Sequence, residues 1–176
     1  MLLGAVLSIP DVGQIDAFAE PWRRLYAQSP LLSTVVLFGH LGGLFAAGGL
    51  SVAADRATLR LDPSNDEDRQ RHLADMARLR TPTGIAFIVA ACCGALLFLA
   101  DVEAFATSPI FWVKMVLVAL LLANALLGAQ LDDSLRDATL QLGDTTARWR
   151  RRRASALASA VLWFGLVFVG AALASH

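Results

Sequence analysis

Charge is scarce in this chain. Only 17% of its 176 residues are Asp, Glu, Lys or Arg, against 56% hydrophobic, and the mean hydropathy is +0.57. A water-soluble domain of this size has much surface for its volume and needs more charge to cover it. Fifteen basic residues are matched by fifteen acidic ones, so no charge excess points to a nucleic-acid partner. Cysteine is nearly missing too. Cys92 and Cys93, adjacent in an apolar stretch, exclude a disulfide framework. The opening MLLGAVLSIP has no basic flank and too short an apolar run to span, so it does not read as a signal peptide and Met1 is expected to be retained. There is also no phosphate loop, no nucleophile with a base, no metal-protease helix and no carboxylate pair at membrane depth. No enzyme is expected.

What is present is four long apolar blocks, at about 31–54, 82–100, 110–131 and 154–174. About twenty residues of helix cross a hydrocarbon core of roughly 30 Å. Lipid offers the backbone no hydrogen bonds, so each block is expected to be a helix. The expected fold is all-α, a four-helix transmembrane bundle over 31–176, with a short amphipathic segment over 1–30 on the outer membrane surface. In that segment Val12, Ile15, Phe18, Trp22 and Tyr26 recur at helical spacing, and Pro21 is expected to split it in two.

Arginine sets the expected orientation. The 55–81 link carries Arg56, Arg60, Arg69, Arg71, Arg78 and Arg80, and the 132–153 link carries Arg136, Arg148, Arg150, Arg151, Arg152 and Arg153. The link between the second and third blocks, DVEAFATSP, has no basic residue. The positive-inside rule then makes the two arginine-rich links cytoplasmic and puts both termini outside. Within 55–81, Ser64 and Glu67 stand at capping-box spacing after Pro63, and a short, charged, solvated helix is expected to end where Thr81 caps Pro82. The run RWRRRR, with Arg148, Arg150, Arg151, Arg152 and Arg153, is expected to hold anionic lipid.

His40 is the first candidate for chemistry, since an imidazole deep in a span needs a partner or a ligand. It could be an axial ligand to haem b, a copper ligand, or a neutral ring bonded to a neighbouring helix. The surrounding Gly39, Gly42, Gly43, Ala46, Ala47, Gly48 and Gly49 fit close helix packing as well as room for a flat macrocycle. No other histidine lies at that depth. At ~1.5 Å per residue, His40 is roughly 13 Å from the outer boundary, level with Cys92 and Cys93 and somewhat deeper than Met115. These four could suit copper, or be ordinary packing residues. Lys114 is expected to snorkel towards headgroups or towards Asp101 and Glu103, and Asn124 to make an interhelical hydrogen bond.

The stretches VVLFGHLGGLFAAGG, GALLFLADVEAFATSPIFWVKMVLVALLLANALL and SAVLWFGLVFVGAALA resemble a bacterial family of four-helix integral membrane proteins of unknown function. That family is similar in turn to the membrane domain of copper-resistance protein D. In the resemblance His40, Lys114 and Asn124 match family positions, as does the P-x-F-x-x-K element at Pro109, Phe111 and Lys114. A second histidine common near the inner end of the third helix is replaced here by Gly128, Ala129 and Gln130, and a fourth-helix arginine by Gly170 and Ala171. Both departures weigh against transferring haem or metal chemistry.

Two functions follow as expectations. One is a non-enzymatic subunit in the bacterial inner membrane that packs with lipid and with other membrane subunits or itself, in an assembly of redox or photosynthetic kind. The other is a small haem b electron carrier or copper-handling protein centred on His40.

Overall fold

The computed structural model describes residues 12–62, 65–140 and 145–174. These form six helices: α1 (Val12–Gln28), α2 (Pro30–Arg60), α3 (Asp66–Ala100), α4 (Val102–Thr107), α5 (Pro109–Leu140) and α6 (Thr146–Ala174). Among the described residues there is no strand. α2, α3, α5 and α6 are long and apolar enough to cross a membrane, and they make an antiparallel four-helix bundle. α2 packs along α3 and along α6, α5 packs along α6, and α3 and α5 touch only sparingly.

Local sequence sets the helix starts. Ser29 caps α2 by accepting the Leu32 N–H at 3.3 Å, with Pro30 in the first turn. The same Ser-Pro pair opens α5, where Ser108 accepts the Phe111 N–H at 3.4 Å. In each case proline supplies a preset φ where its missing N–H costs nothing. Asp101 ends α3 and caps α4 by accepting the Ala104 N–H at 3.3 Å. α3 is capped by Asn65, which accepts the Glu67 and Asp68 N–H groups. The expected capping box is therefore displaced by one residue, and Ser64 lies outside the described residues.

Neither interior proline breaks its helix. α1 runs unbroken through Pro21 and α3 through Pro82, contrary to the expected split and to the expected boundary at Thr81. A proline removes one hydrogen bond and crowds one carbonyl, which kinks a helix but need not end it where packing holds both halves. For α1 the packing is against α3, α4 and α2, with Trp22 Nε1 donating to the Leu96 carbonyl at 2.8 Å. Glu20, hydrogen-bonded by Arg24 and Arg23, keeps its carboxyl below the usual range.

The links at 55–81 and 132–153 are not mainly solvated loops either. α2, α3, α5 and α6 extend past the apolar blocks at the end that carries Arg148–Arg153, the arginine end. There they build a second core of Leu73, Leu135 and Trp149, with Leu61 packed on it. The core within the apolar blocks is Ala47, Leu121, Trp163 and Leu166. Arginine side chains tie this end together: Arg136 donates to the Leu73 carbonyl at 3.0 Å and Arg153 to the Leu61 carbonyl at 2.5 Å.

Candidate functional site

His40 Nδ1 donates to the Ala90 carbonyl of α3 at 2.8 Å. Its ring lies against Gly94, where a Cβ would come within 2.9 Å of Cε1. The glycines beside it are already occupied by α3. A Cβ on Gly39 would meet Cys93 Sγ at 2.6 Å, and one on Gly43 would meet the Ala86 carbonyl oxygen at 2.7 Å. α2 and α3 are thus in backbone contact, which leaves no slot between them for a macrocycle. Cys92 is exposed while Cys93 is half-buried, because adjacent residues on a helix point about 100° apart. Among the described residues no group of three or more His, Cys, Asp or Glu side chains is arranged to hold a metal ion. Met115 is half-buried on α5.

Lys114 is half-buried and within electrostatic reach of His40; it makes no ion pair with Asp101 or Glu103 among the described residues. Asn124 makes the expected interhelical bonds: its Nδ2 donates to the Ser155 carbonyl at 3.0 Å, and its Oδ1 accepts from the Ser155 hydroxyl at 3.1 Å. Of the arginines assigned to lipid, Arg148, Arg150 and Arg151 are exposed. Arg152 is a correction: it is 6% exposed and faces the bundle interior. Arg153 is half-buried and spent on Leu61.

The most concentrated polar chemistry lies around Arg152. Its Nε donates to Asp132 Oδ1 at 2.7 Å and its Nη1 to Asp55 Oδ1 at 3.5 Å. Ser159 stands beside the Asp55 carboxylate, and Ser155, Ser159 and Thr58 are buried. Thr58 gives its hydroxyl proton to the Ala54 carbonyl at 3.1 Å. It therefore accepts from His72 Nε2, also at 3.1 Å. His72 is buried against Trp149 rather than solvated.

This polar cluster closes one end of a cavity of about 460 Å³. Its walls come from all four long helices, with α3 and α5, which touch only sparingly, lining facing sides. Phe87 and Ile88 of α3, Leu121 and Leu122 of α5, and Trp163 of α6 make it apolar. At the arginine end Arg80 bridges the gap, donating to Asp133 at 3.1 and 3.3 Å and to the Ala129 carbonyl at 3.1 Å.

The chain matches no known family, no characterised protein and no solved structure.

Asp55 and Asp132 escaped the sequence reading because each falls one residue outside its block, where charges serve as boundary markers, and Arg152, two residues outside, was grouped with its neighbours as a lipid contact. A signal was available. All three lie at one depth on three adjacent spans, and the depth arithmetic applied to His40 would have brought them together.

Proposed function

We propose that the chain is a non-enzymatic, multi-pass subunit of a bacterial inner membrane that packs within a larger membrane assembly. The observation that carries this is an unused seam on α2. Gly42, Ala46, Gly49 and Ala53 fall on one face of that helix, and a Cβ on Gly42 or Gly49 would meet no atom within 4 Å. Phe38, Leu41 and Phe45 flank it, all exposed. Lipid gains nothing from small residues, whereas another helix uses them to bring its backbone close. The same helix does this within the chain, where Gly39 and Gly43 receive α3. The partner is a transmembrane helix of another subunit or of a second copy. The exposed Arg148, Arg150 and Arg151 support the orientation with both termini outside, and each adds roughly 1 kcal/mol of attraction to anionic lipid. No observation favours haem b or copper at His40, or an electron-carrying role.

Purification in mild detergent, with mass spectrometry of what co-elutes, tests the reading. Gly42→Leu and Gly49→Leu should release the partner while leaving the fold intact. A wild-type chain that elutes alone and monomeric would overturn it.

A further inference from the structure

The cavity between α3 and α5 is closed by a residue with a carboxyl oxygen that has no hydrogen-bond partner. Asp55 and Asp132 share one cation, Arg152, and all three side chains are about nine-tenths buried. Arg152 is committed mainly to Asp132, at 2.7 Å against 3.5 Å for Asp55. The Ser159 hydroxyl also reaches the Asp55 carboxyl group, yet Asp55 Oδ2 itself has no hydrogen-bond partner, and the residue lines the cavity. The other basic side chains near it are engaged: Arg80 is held by Asp133 and the Ala129 carbonyl, and His72 points Nε2 at Thr58. An unpaired carboxyl oxygen in a poorly hydrated site is costly and calls for a donor, and two acidic groups to one guanidinium leave a place for a cationic one.

The rest of the cavity defines what carries that charge. Its volume is in the range of small-molecule sites, its walls are apolar, and its mouth lies between two helices whose outer faces are exposed apolar side chains. We infer that this cleft binds an amphiphile with an ammonium head on an apolar body, the ammonium donating to Asp55 Oδ2 and the body lying along Phe87, Leu121 and Trp163. An amine-headed phospholipid and a free lipophilic amine share this chemistry. The cleft is separate from the α2 seam, so the inference does not depend on the subunit reading.

The test is native mass spectrometry of the full chain released from maltoside detergent after incubation with dodecylamine, dodecanol, phosphatidylethanolamine or phosphatidylglycerol. Two variants accompany the wild type. Asp55→Asn removes the charge. Gly84→Leu fills the cleft from α3 without touching the ion cluster, and a Cβ at Gly84 meets nothing within 4 Å. Both should keep wild-type helix content. The expected result is retention of dodecylamine, of phosphatidylethanolamine, or of both, with apparent affinity falling by about tenfold or more in each variant. Which amphiphile is retained assigns the source. Phosphatidylglycerol adducts belong to the exposed arginines and should be unchanged by either variant. Amine retention unaffected by Asp55→Asn and Gly84→Leu would overturn the inference. So would dodecanol retained as well as dodecylamine with the same dependence on Asp55, or no amine retained at all.

Discussion

Arg152 on α6 and Asp132 on α5 form a 2.7 Å hydrogen-bonded ion pair, with side chains 7% and 10% exposed. Removing one member of such a pair strands the other, typically at about 3–5 kcal/mol. Arg152→Met leaves two buried carboxylates without a cation and should lower thermal stability in detergent by an amount in that range. Neutralising all three groups together, with Asp55→Asn, Asp132→Asn and Arg152→Gln, should restore most of the loss. A triple variant no more stable than Arg152→Met would show that the charges are not what couples these positions.

Gly43 and Gly42 are neighbours with opposite surroundings. A Cβ on Gly43 would lie 2.7 Å from the Ala86 carbonyl oxygen and 2.8 Å from Ala90 N, both backbone atoms that cannot turn aside, while Gly42 faces open space. Gly43→Ala should separate α2 from α3 and destabilise the chain by about 1–3 kcal/mol. Gly42→Ala should leave the monomer's unfolding midpoint unchanged. Equal effects at both positions would contradict this packing.

His40→Gln should fold and retain its partners. The bond to the Ala90 carbonyl is one interhelical hydrogen bond, and such bonds in membranes average about 0.6 kcal/mol and reach about 1.7. Glutamine can donate to the same carbonyl. A variant that assembles normally yet loses a visible Soret band or bound copper carried by the wild type would show instead that His40 is a ligand.

Trp22→Phe keeps the ring and removes the N–H that reaches the Leu96 carbonyl. Loss of that bond, worth about 0.5–1.5 kcal/mol, should loosen α1 more than the bundle. Limited proteolysis should then cut near α1 sooner than in the wild type, with the four long helices as resistant as before.

The four spans were legible because uninterrupted hydrophobicity has one structural solution in a bilayer. The extensions beyond them were not. His72, Leu73 and Met76 turn a buried face to the bundle from a segment whose six acids and six bases suggest solvent. A few apolar residues at helical spacing are enough to bury one face while the charges ride on the other. Pro21 and Pro82 were misleading for a related reason, since proline's cost is local and contacts on both sides outweigh it. The acceptor for His40 is a backbone carbonyl, which no side-chain pattern announces, whereas Asn124 found the interhelical partner expected of it.

The continuity of α3 makes it a beam. One end is held at Leu96 by Trp22, and the other carries His72 against Thr58, along a single helix of 35 residues, about 50 Å long. Its weak point is the missing N–H of Pro82, two residues from Gly84 at the edge of the cleft. Just beyond it Phe87 and Ile88 lie between Ala86 and Ala90, whose backbone atoms pack against Gly43 of α2. Held at both ends and in its middle, α3 keeps the cleft wall in a fixed place against α2, and only its sparse contacts with α5 set the width on the other side.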